Sequence, residues 1–496
     1  MISGKTIAKN VGVMMASQLI TWVMAFILAI FLPRYVGAEA IGAITIATSV
    51  WLIMSVLYTF GMDTHLTKSI ARDPSKTSEL LSTSLVLRTI FFLIGCVIVA
   101  LYARIMQYDL QLTTVIWIMG SYFLTSSYAA AFNASLIGLE RMEFISISNI
   151  VGKTLLTAVS LLMIYLNAGL YLVISVMTFS SLVSCTILFI SLNRQQPLRF
   201  QVDFSNMRAV ARDSSVYLVS GLAMVIYQQI DKPFISALVD TTTVGWYGTA
   251  MNLFGTLMFL PVVFSSVVFP AMARSYASGN NKLNIIAQRS FDLMFLISIP
   301  VGLGLVVIGQ PLVDLLYGPQ FRPSGGILMM LGVVLIFTYL NTILGQLLIS
   351  TDRTSRWNIV MIVAIVVTLP IDYVMVPWTH QVYGNGGLGG TFAFLITEFA
   401  MVVAAILLLP PKTLQWSNVR TASLTLLSGL LMMATSWWFR ETMMLVSIGI
   451  AAVTYIGAVA LLRIVPSEDV LLIKNAVMGI IGRLRRRKDA SASLGN

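Results

Sequence analysis

Charged residues are scarce in this chain. Lysine and arginine account for 31 of the 496 residues and aspartate and glutamate for 20, so 10% of the chain is charged while 57% is hydrophobic. A soluble protein of this length would need far more charge to cover its surface. The mean hydropathy of +0.88 instead indicates that a lipid bilayer surrounds much of the chain.

Cysteine and histidine are almost absent, with two of each. Cys96 and Cys185 both fall inside apolar runs, which argues against a disulfide framework. His65 and His380 are far apart and lack a neighbouring carboxylate or cysteine cluster, which argues against a metal site. Catalytic motifs are nearly absent as well, so we expect neither an enzyme nor a cofactor.

Long apolar runs are what the sequence has in abundance. A helix needs about 20 apolar residues to cross roughly 30 Å of hydrocarbon, and only helices and closed barrels satisfy their backbone polar groups in lipid. The runs are continuous rather than alternating, so they predict an all-α integral membrane protein of about 14 transmembrane helices. The predicted spans are 11–32, 40–61, 84–103, 112–135, 145–167, 169–192, 215–239, 244–270, 291–309, 325–350, 357–378, 387–409, 419–439 and 442–462.

Lysine and arginine are distributed unequally between the two sets of connections. One set holds 24 of the 31, and the other holds only Arg34, Arg104, Arg322 and Arg440. Because basic residues favour the inside face, both chain ends are predicted to be cytoplasmic. The net charge of +11 therefore requires no nucleic-acid partner. The basic tail 483–488 suits anionic lipid headgroups, although a simple topological anchor explains it equally well.

The second half of the chain repeats features of the first. The segment 40–43 after span 1 has a counterpart in 243–247 after span 7, and 133–141 after span 4 has one in 346–353 after span 10. Six spans per repeat is an even number, so the two halves share one orientation and are related by a pseudo-twofold axis, with a cavity between them. The predicted division is an N-lobe at 1–192, a cytoplasmic inter-lobe loop at 193–214, a C-lobe at 215–411, spans 13 and 14 at 412–465, and a basic cytoplasmic tail at 466–496.

Polar and charged groups inside the predicted spans are candidates for a transport pathway. A charge at the bilayer centre costs about 2.5–3.5 kcal/mol on insertion scales, so it usually faces protein or water. The alternatives are hydrogen bonding between helices and, for Lys232 and Arg88, a side chain that reaches the interface. The candidates for a substrate cavity are Lys232, Asp231, Gln228, Lys153, Asn149, Ser17, Gln18, Arg88 and Asn252.

Three carboxyl groups are weaker candidates for coupling transport to an ion. Glu398 and Asp372 lie deep in spans 12 and 11, where burial favours the protonated form of a carboxyl group. Asp63 lies at the inner end of span 2. The residues alone do not show that any of them binds a proton.

Several local patterns accompany the fourteen spans and the six-plus-six repeat. They are 229–232 followed by 244–250, the outside loop 316–324, and the loops at 140–141 and 352–353. In these the chain resembles the polysaccharide-exporter branch of the multidrug/oligosaccharidyl-lipid/polysaccharide superfamily, which includes the Wzx-type O-antigen flippases.

The resemblance implies a function and a place in the cell. It implies that a polyprenyl-pyrophosphate-linked oligosaccharide moves across a bacterial or archaeal cytoplasmic membrane by alternating access, through a cationic cavity lined by spans 1, 2, 7 and 8. Relatives that flip the peptidoglycan lipid precursor use arginines in span 1. This sequence has none there, which makes Lys232 and Lys153 the expected pyrophosphate partners. The implied partners are the lipid-linked glycan, membrane lipids and polysaccharide-assembly proteins.

Two other functions compete with this one. A multidrug cation antiporter of the same superfamily would favour acidic residues in span 1, and this span has none. A membrane glycan polymerase or ligase would need a long outside loop with catalytic groups, and no outside connection is long. No ATP-binding motif is found, so an ion gradient or the membrane potential would have to drive export.

Overall fold

The chain is helical throughout the part that the structure describes. This computed structural model describes residues 4–199, 204–278, 282–410, 413–440 and 443–465, and no strand occurs in them. The helices are α1 (Gly4–Thr59), α2 (Met62–Arg72), α3 (Thr77–Ile105), α4 (Leu110–Gly138), α5 (Met142–Tyr165), α6 (Leu170–Gln195), α7 (Phe204–Gln229), α8 (Asp231–Leu238), α9 (Thr241–Leu257), α10 (Phe259–Ala277), α11 (Lys282–Tyr317), α12 (Arg322–Ser350), α13 (Thr354–Tyr383), α14 (Gly386–Leu408), α15 (Trp416–Trp437) and α16 (Met444–Leu461).

These helices account for the predicted spans. Within the described residues, 11 helical stretches are long and apolar enough to cross a membrane, and one of them, Ile20–Thr59, covers most of α1. α1 bends at Gly37 and thus supplies both of the first two predicted spans. α7 with α8 occupies the place of span 7, and α15 that of span 13. The prediction of an all-α membrane protein of about 14 spans is confirmed.

Local sequence explains two interruptions in these helices. Gly37 has φ 85° and ψ 173°, a conformation that glycine adopts without steric cost. α7 ends at Gln229 and α8 begins at Asp231. Pro233 has no backbone N–H to donate to the preceding turn, which favours the break.

The helices pack in two groups that follow the halves of the chain. In the first, α1 packs against α4 and α5, and α4 packs against α6. In the second, α11 packs against α12, and α13 and α12 both pack against α14. α15 and α16 pack against α11 and each other, and the Tyr455 hydroxyl donates to the Leu296 carbonyl at 2.8 Å. The predicted limits of the lobes stay a prediction, and the predicted tail 466–496 lies outside the described residues.

The two groups meet closely through α1 and α9 at the predicted outer end, and we call this contact the glycine seam. A Cβ added to Gly42 would lie 1.8 Å from the Thr241 carbonyl oxygen, and one added to Gly245 would lie 1.9 Å from that of Ala38. Only glycine allows the backbones to approach this closely. Beside the seam, the Arg34 guanidinium donates to the carbonyls at the end of α11.

A second contact between the groups lies at the predicted inner end. Val210 of α7 packs with Met62 of α2 and Leu87 of α3 in a small apolar cluster. The chain before α7 also reaches back, where the Arg199 backbone N–H donates to the Ser78 hydroxyl at 3.3 Å. α7 therefore connects the two halves of the molecule at one end, as the glycine seam does at the other.

Candidate functional site

Lys153 and Asn149 are exposed on one side of α5. At 100° per residue, the exposed apolar side chains Ile147 and Val151 of this helix project about 40° apart, and Lys153 projects about 120° from the first and about 160° from the second. Thr157, one turn further along, donates to the Met24 carbonyl of α1 at 3.2 Å. The ammonium group therefore lies on the side of α5 that faces α1, away from the apolar face.

Lys232 takes part in hydrogen bonds that join the two halves of the molecule. Its ammonium group donates to the Gln229 side-chain oxygen at 2.7 Å and to the Gln228 carbonyl at 3.2 Å. The same Gln229 oxygen accepts a hydrogen bond from Ser49 of α1 at 3.2 Å. Lys232 is only partly buried, so the cation lies where α7, α8 and α1 meet and still has exposed surface.

The remaining cavity candidates have different environments. Gln228 and Asn252 are exposed on α7 and α9, and Gln228 lies one helical turn before Lys232. The backbone of α1 is helical at Ser17 and Gln18, but their side chains lie outside the described part of the chain.

Arg88 is completely buried within the first half. It forms a salt bridge with Asp63 of α2 and donates to the Ser127 carbonyl of α4 at 2.8 Å. It also donates to the Ser84 hydroxyl at 3.3 Å. Asp63 retains 41% side-chain exposure. These contacts connect α2, α3 and α4. They also pair the Arg88 charge with Asp63 inside the first half of the molecule.

A buried pair of carboxyl groups lies in the second half. Asp231 begins α8 and accepts a hydrogen bond from the Tyr247 hydroxyl of α9 at 3.2 Å. Asp372 of α13 is fully buried, and neither of its oxygens has a hydrogen-bond partner among the described residues. α8 packs against α13, and the two carboxyl groups are close enough to interact electrostatically. An ionised, unpaired carboxylate at this depth costs several kcal/mol, so the pair suits a bound proton or another small cation.

Glu398 of α14 is a third buried carboxyl group, and its oxygens are paired. It accepts hydrogen bonds from the Tyr227 hydroxyl of α7 at 2.7 Å and from the Asn341 side-chain nitrogen of α12 at 2.8 Å. Glu398 thus links the end of α7 to the interior of the second half.

Sequence reasoning missed the neutral partners of these charges. Tyr247 donates a hydrogen bond to Asp231, and Tyr227 donates one to Glu398. Gln229 accepts a hydrogen bond from Lys232. One signal was available for Gln229, since it immediately precedes the Ile230-Asp231-Lys232 motif. Tyr247 lies within the 244–250 pattern, whereas Tyr227 carried no signal, because an aromatic residue in an apolar run usually indicates packing.

The architecture matches solved membrane transporters in fold. The inward closed conformation of the lipid II flippase MurJ superposes with a TM-score of 0.73 at 12% identity, covering 90% of this chain and 98% of that chain. An inward-facing multidrug resistance transporter of the MATE family superposes with a TM-score of 0.65 at 14% identity, covering 81% of this chain and 94% of that chain. The chain therefore shares its fold with these transporters.

Sequence comparison places the chain more narrowly. The model of the polysaccharide biosynthesis protein family matches residues 7–276, more than half of the chain, and the chain belongs to that family. The MatE model matches residues 217–374.

Two curated relatives are similar to this chain. A Shigella dysenteriae protein named as an O-antigen transporter is 23% identical over 411 residues, which cover 80% of this chain and 98% of that protein. A Haloferax volcanii protein named as the low-salt glycan biosynthesis flippase Agl15 is 21% identical over 175 residues, 35% of this chain. The match spans 37% of that relative's length.

Proposed function

We propose that this protein translocates a polyprenyl-pyrophosphate-linked oligosaccharide across the cytoplasmic membrane by alternating access, with both chain ends in the cytoplasm. Family membership and the two glycan-related relatives support this substrate class. The proposal includes no catalytic step, so the protein acts as a transporter and not as an enzyme. Membrane lipids and polysaccharide-assembly proteins are its proposed neighbours.

The observation that carries the proposal is the position of the two lysines. Lys153 is exposed on the side of α5 that faces α1, and Lys232 lies at the junction of the two halves with exposed surface. Unassisted passage of a pyrophosphate through hydrocarbon is prevented by its loss of solvation. Ammonium groups contributed by α5 and α8 would replace part of that solvation.

The multidrug antiporter is the weaker alternative. An organic cation needs exposed negative charge, whereas Asp231, Asp372 and Glu398 are all buried in the second half. We propose instead that Asp231 and Asp372 bind the coupling cation, a proton in the simplest case. Pyrophosphate would then be bound by Lys153 and Lys232 and the cation by the buried carboxyl groups.

Transport in reconstituted vesicles tests the substrate proposal. We expect Lys153→Gln and Lys232→Gln each to reduce flipping of a pyrophosphate-linked oligosaccharide by about tenfold to a hundredfold, since a hydrogen bond to a charged group contributes about 1.5–3 kcal/mol. Lys282 is exposed at the start of α11, and Lys282→Gln is the matched control. Lys232→Arg should restore part of the activity.

The readout is the fraction of labelled glycan that an externally added lectin can reach. Unchanged flipping in Lys232→Gln would remove that residue from the substrate path. Wild-type vesicles that move organic cations and leave the lipid-linked glycan in place would overturn the proposed function in favour of the antiporter.

A further inference from the structure

A groove runs between α13 and α14 in the second half of the molecule. Its volume is about 580 Å³, and all of its lining residues come from these two helices. Arg356 and Leu408 lie at one end, and Val367 and Thr397 lie at the other. No residue of α1 to α10 lines it, so it is separate from the lysines proposed to bind the substrate.

The length of the groove matches one leaflet of a bilayer. Arg356 and Val367 are eleven residues apart on α13, which corresponds to about 16 Å along a helix. Half of the hydrocarbon core is about 15 Å thick. Arg356 belongs to a connection predicted to be cytoplasmic, so the groove extends from the inner interface to the middle of the membrane.

The wall of the groove is aliphatic, with small residues on α14. Ile359 and Val363 on α13 are 59% and 53% exposed, and Ala400 and Ala404 on α14 leave room between the helices. An apolar chain gains little from the hydrophobic effect here, because the surrounding lipid is equally apolar. Selective binding must therefore come from close packing in the groove and from the group at its end.

Arg356 supplies that group. Its side chain is exposed and has no hydrogen-bond or ion-pair partner within the described part of the chain. Arg353, one turn earlier, is already engaged, since its guanidinium donates to the Leu408 carbonyl at the end of α14. This contact fixes the connection before α13 beside the groove. Asp352 is the acidic residue of that connection, and the two arginines outweigh it.

We propose that the groove binds one anionic phospholipid of the inner leaflet, with its phosphate on Arg356 and one acyl chain between α13 and α14. A guanidinium group binds a phosphate through paired charge-assisted hydrogen bonds. Arg356 also lies in the first turn of α13, where the helix end favours an anion. The bound lipid would hold α13 and α14 together at the inner interface.

Native mass spectrometry of the purified full-length protein tests this proposal. We expect one phosphatidylglycerol molecule to remain bound to the wild type under conditions that remove phosphatidylethanolamine. Arg356→Gln should weaken phosphatidylglycerol binding by about tenfold, as expected for the loss of a charge-assisted contact. Ala400→Phe should weaken it as well, because the ring fills the groove and leaves the charge in place.

Arg274, an exposed arginine at the end of α10, provides the matched control. Arg274→Gln should retain the bound lipid, and thermal unfolding of each variant verifies that it is folded. Equal retention of phosphatidylglycerol by the wild type and Arg356→Gln would overturn the proposal. Displacement of phosphatidylglycerol by a polyprenyl phosphate at equal concentration would overturn it too, because the groove would then belong to the transported carrier.

Discussion

Adding one methyl group to the glycine seam should open the outer end of the molecule. In Gly245→Ala the new Cβ would lie 1.9 Å from the Ala38 carbonyl oxygen, whereas ordinary van der Waals contact begins at 3.4 Å. α1 and α9 must therefore separate there by about 1.5 Å, the difference between those distances. Overpacking of this kind costs about 1–3 kcal/mol, which corresponds to a shift of about 5- to 150-fold away from the closed arrangement.

A crosslinking assay measures that shift. Glu39 and Thr242 line one cavity across the seam, so Glu39→Cys and Thr242→Cys, with Cys96 and Cys185 replaced by serine, report closure by the rate of disulfide formation. Gly245→Ala should slow crosslinking by a factor in the range given above.

Gly255 on the same helix faces open space, since a Cβ added there would have no neighbouring atom within 4 Å. Gly255→Ala is therefore the matched control and should crosslink at the parent rate. Equal rates in Gly245→Ala and Gly255→Ala would refute the argument that the seam closes the outer end.

Three further substitutions distinguish residues proposed for ion coupling from residues that stabilise the fold. Asp372→Asn keeps the size of a buried side chain whose oxygens have no hydrogen-bond partner among the described residues, and it removes the carboxyl group proposed to bind a cation. The variant should therefore fold normally, yet its glycan flipping should no longer depend on a cation gradient. Wild-type dependence would remove Asp372 from coupling. Asp63→Asn leaves the Arg88 guanidinium, which is 0% exposed, without its counter-ion and should cost about 3–5 kcal/mol, measured as a lower Tm in detergent. Arg88→Gln should cost less through the lost ion pair, because the remaining Asp63 carboxylate is 41% exposed and can be hydrated. An unchanged Tm in Asp63→Asn would show that the ion pair is dispensable.

The membrane fold was predictable from the sequence because apolar runs must match the thickness of a bilayer. The position of Asn149 and Lys153 on one polar stripe was also predictable from helical spacing, but spacing did not predict that these two side chains are exposed while Ser146, Thr157 and Ser160 of the same stripe are buried. The glycine seam was also partly visible in the sequence. The repeated segments 40–43 and 243–247 contain Gly42 and Gly245, and the structure shows that these segments pack against each other.

The partners of the buried charges were not predictable in the same way. Arg88 pairs with a residue 25 positions away, and Tyr227 donates to Glu398 across 171 positions. Such contacts depend on how the helices associate, and the spacing of residues within one helix does not predict that association. Asp231 and Lys232 are adjacent in sequence and close enough to interact electrostatically. Their hydrogen bonds nevertheless diverge, because Asp231 accepts from Tyr247 while Lys232 donates to Gln229.

The different directions of the Asp231 and Lys232 side chains suggest how ion binding at the carboxyl pair would affect the proposed substrate site. The two residues are neighbours in the first turn of α8 and project about 100° apart. Asp231 is directed into the second half beside Asp372, and Lys232 is directed toward Gln229 and Ser49 at the junction of the halves. If a cation binds at the carboxyl pair, any movement of α8 must displace both side chains. The hydrogen bond from Ser49 to Gln229 would then change together with the charge at Asp231, so loading of the carboxyl pair and closure of the two halves around a pyrophosphate would be mechanically linked.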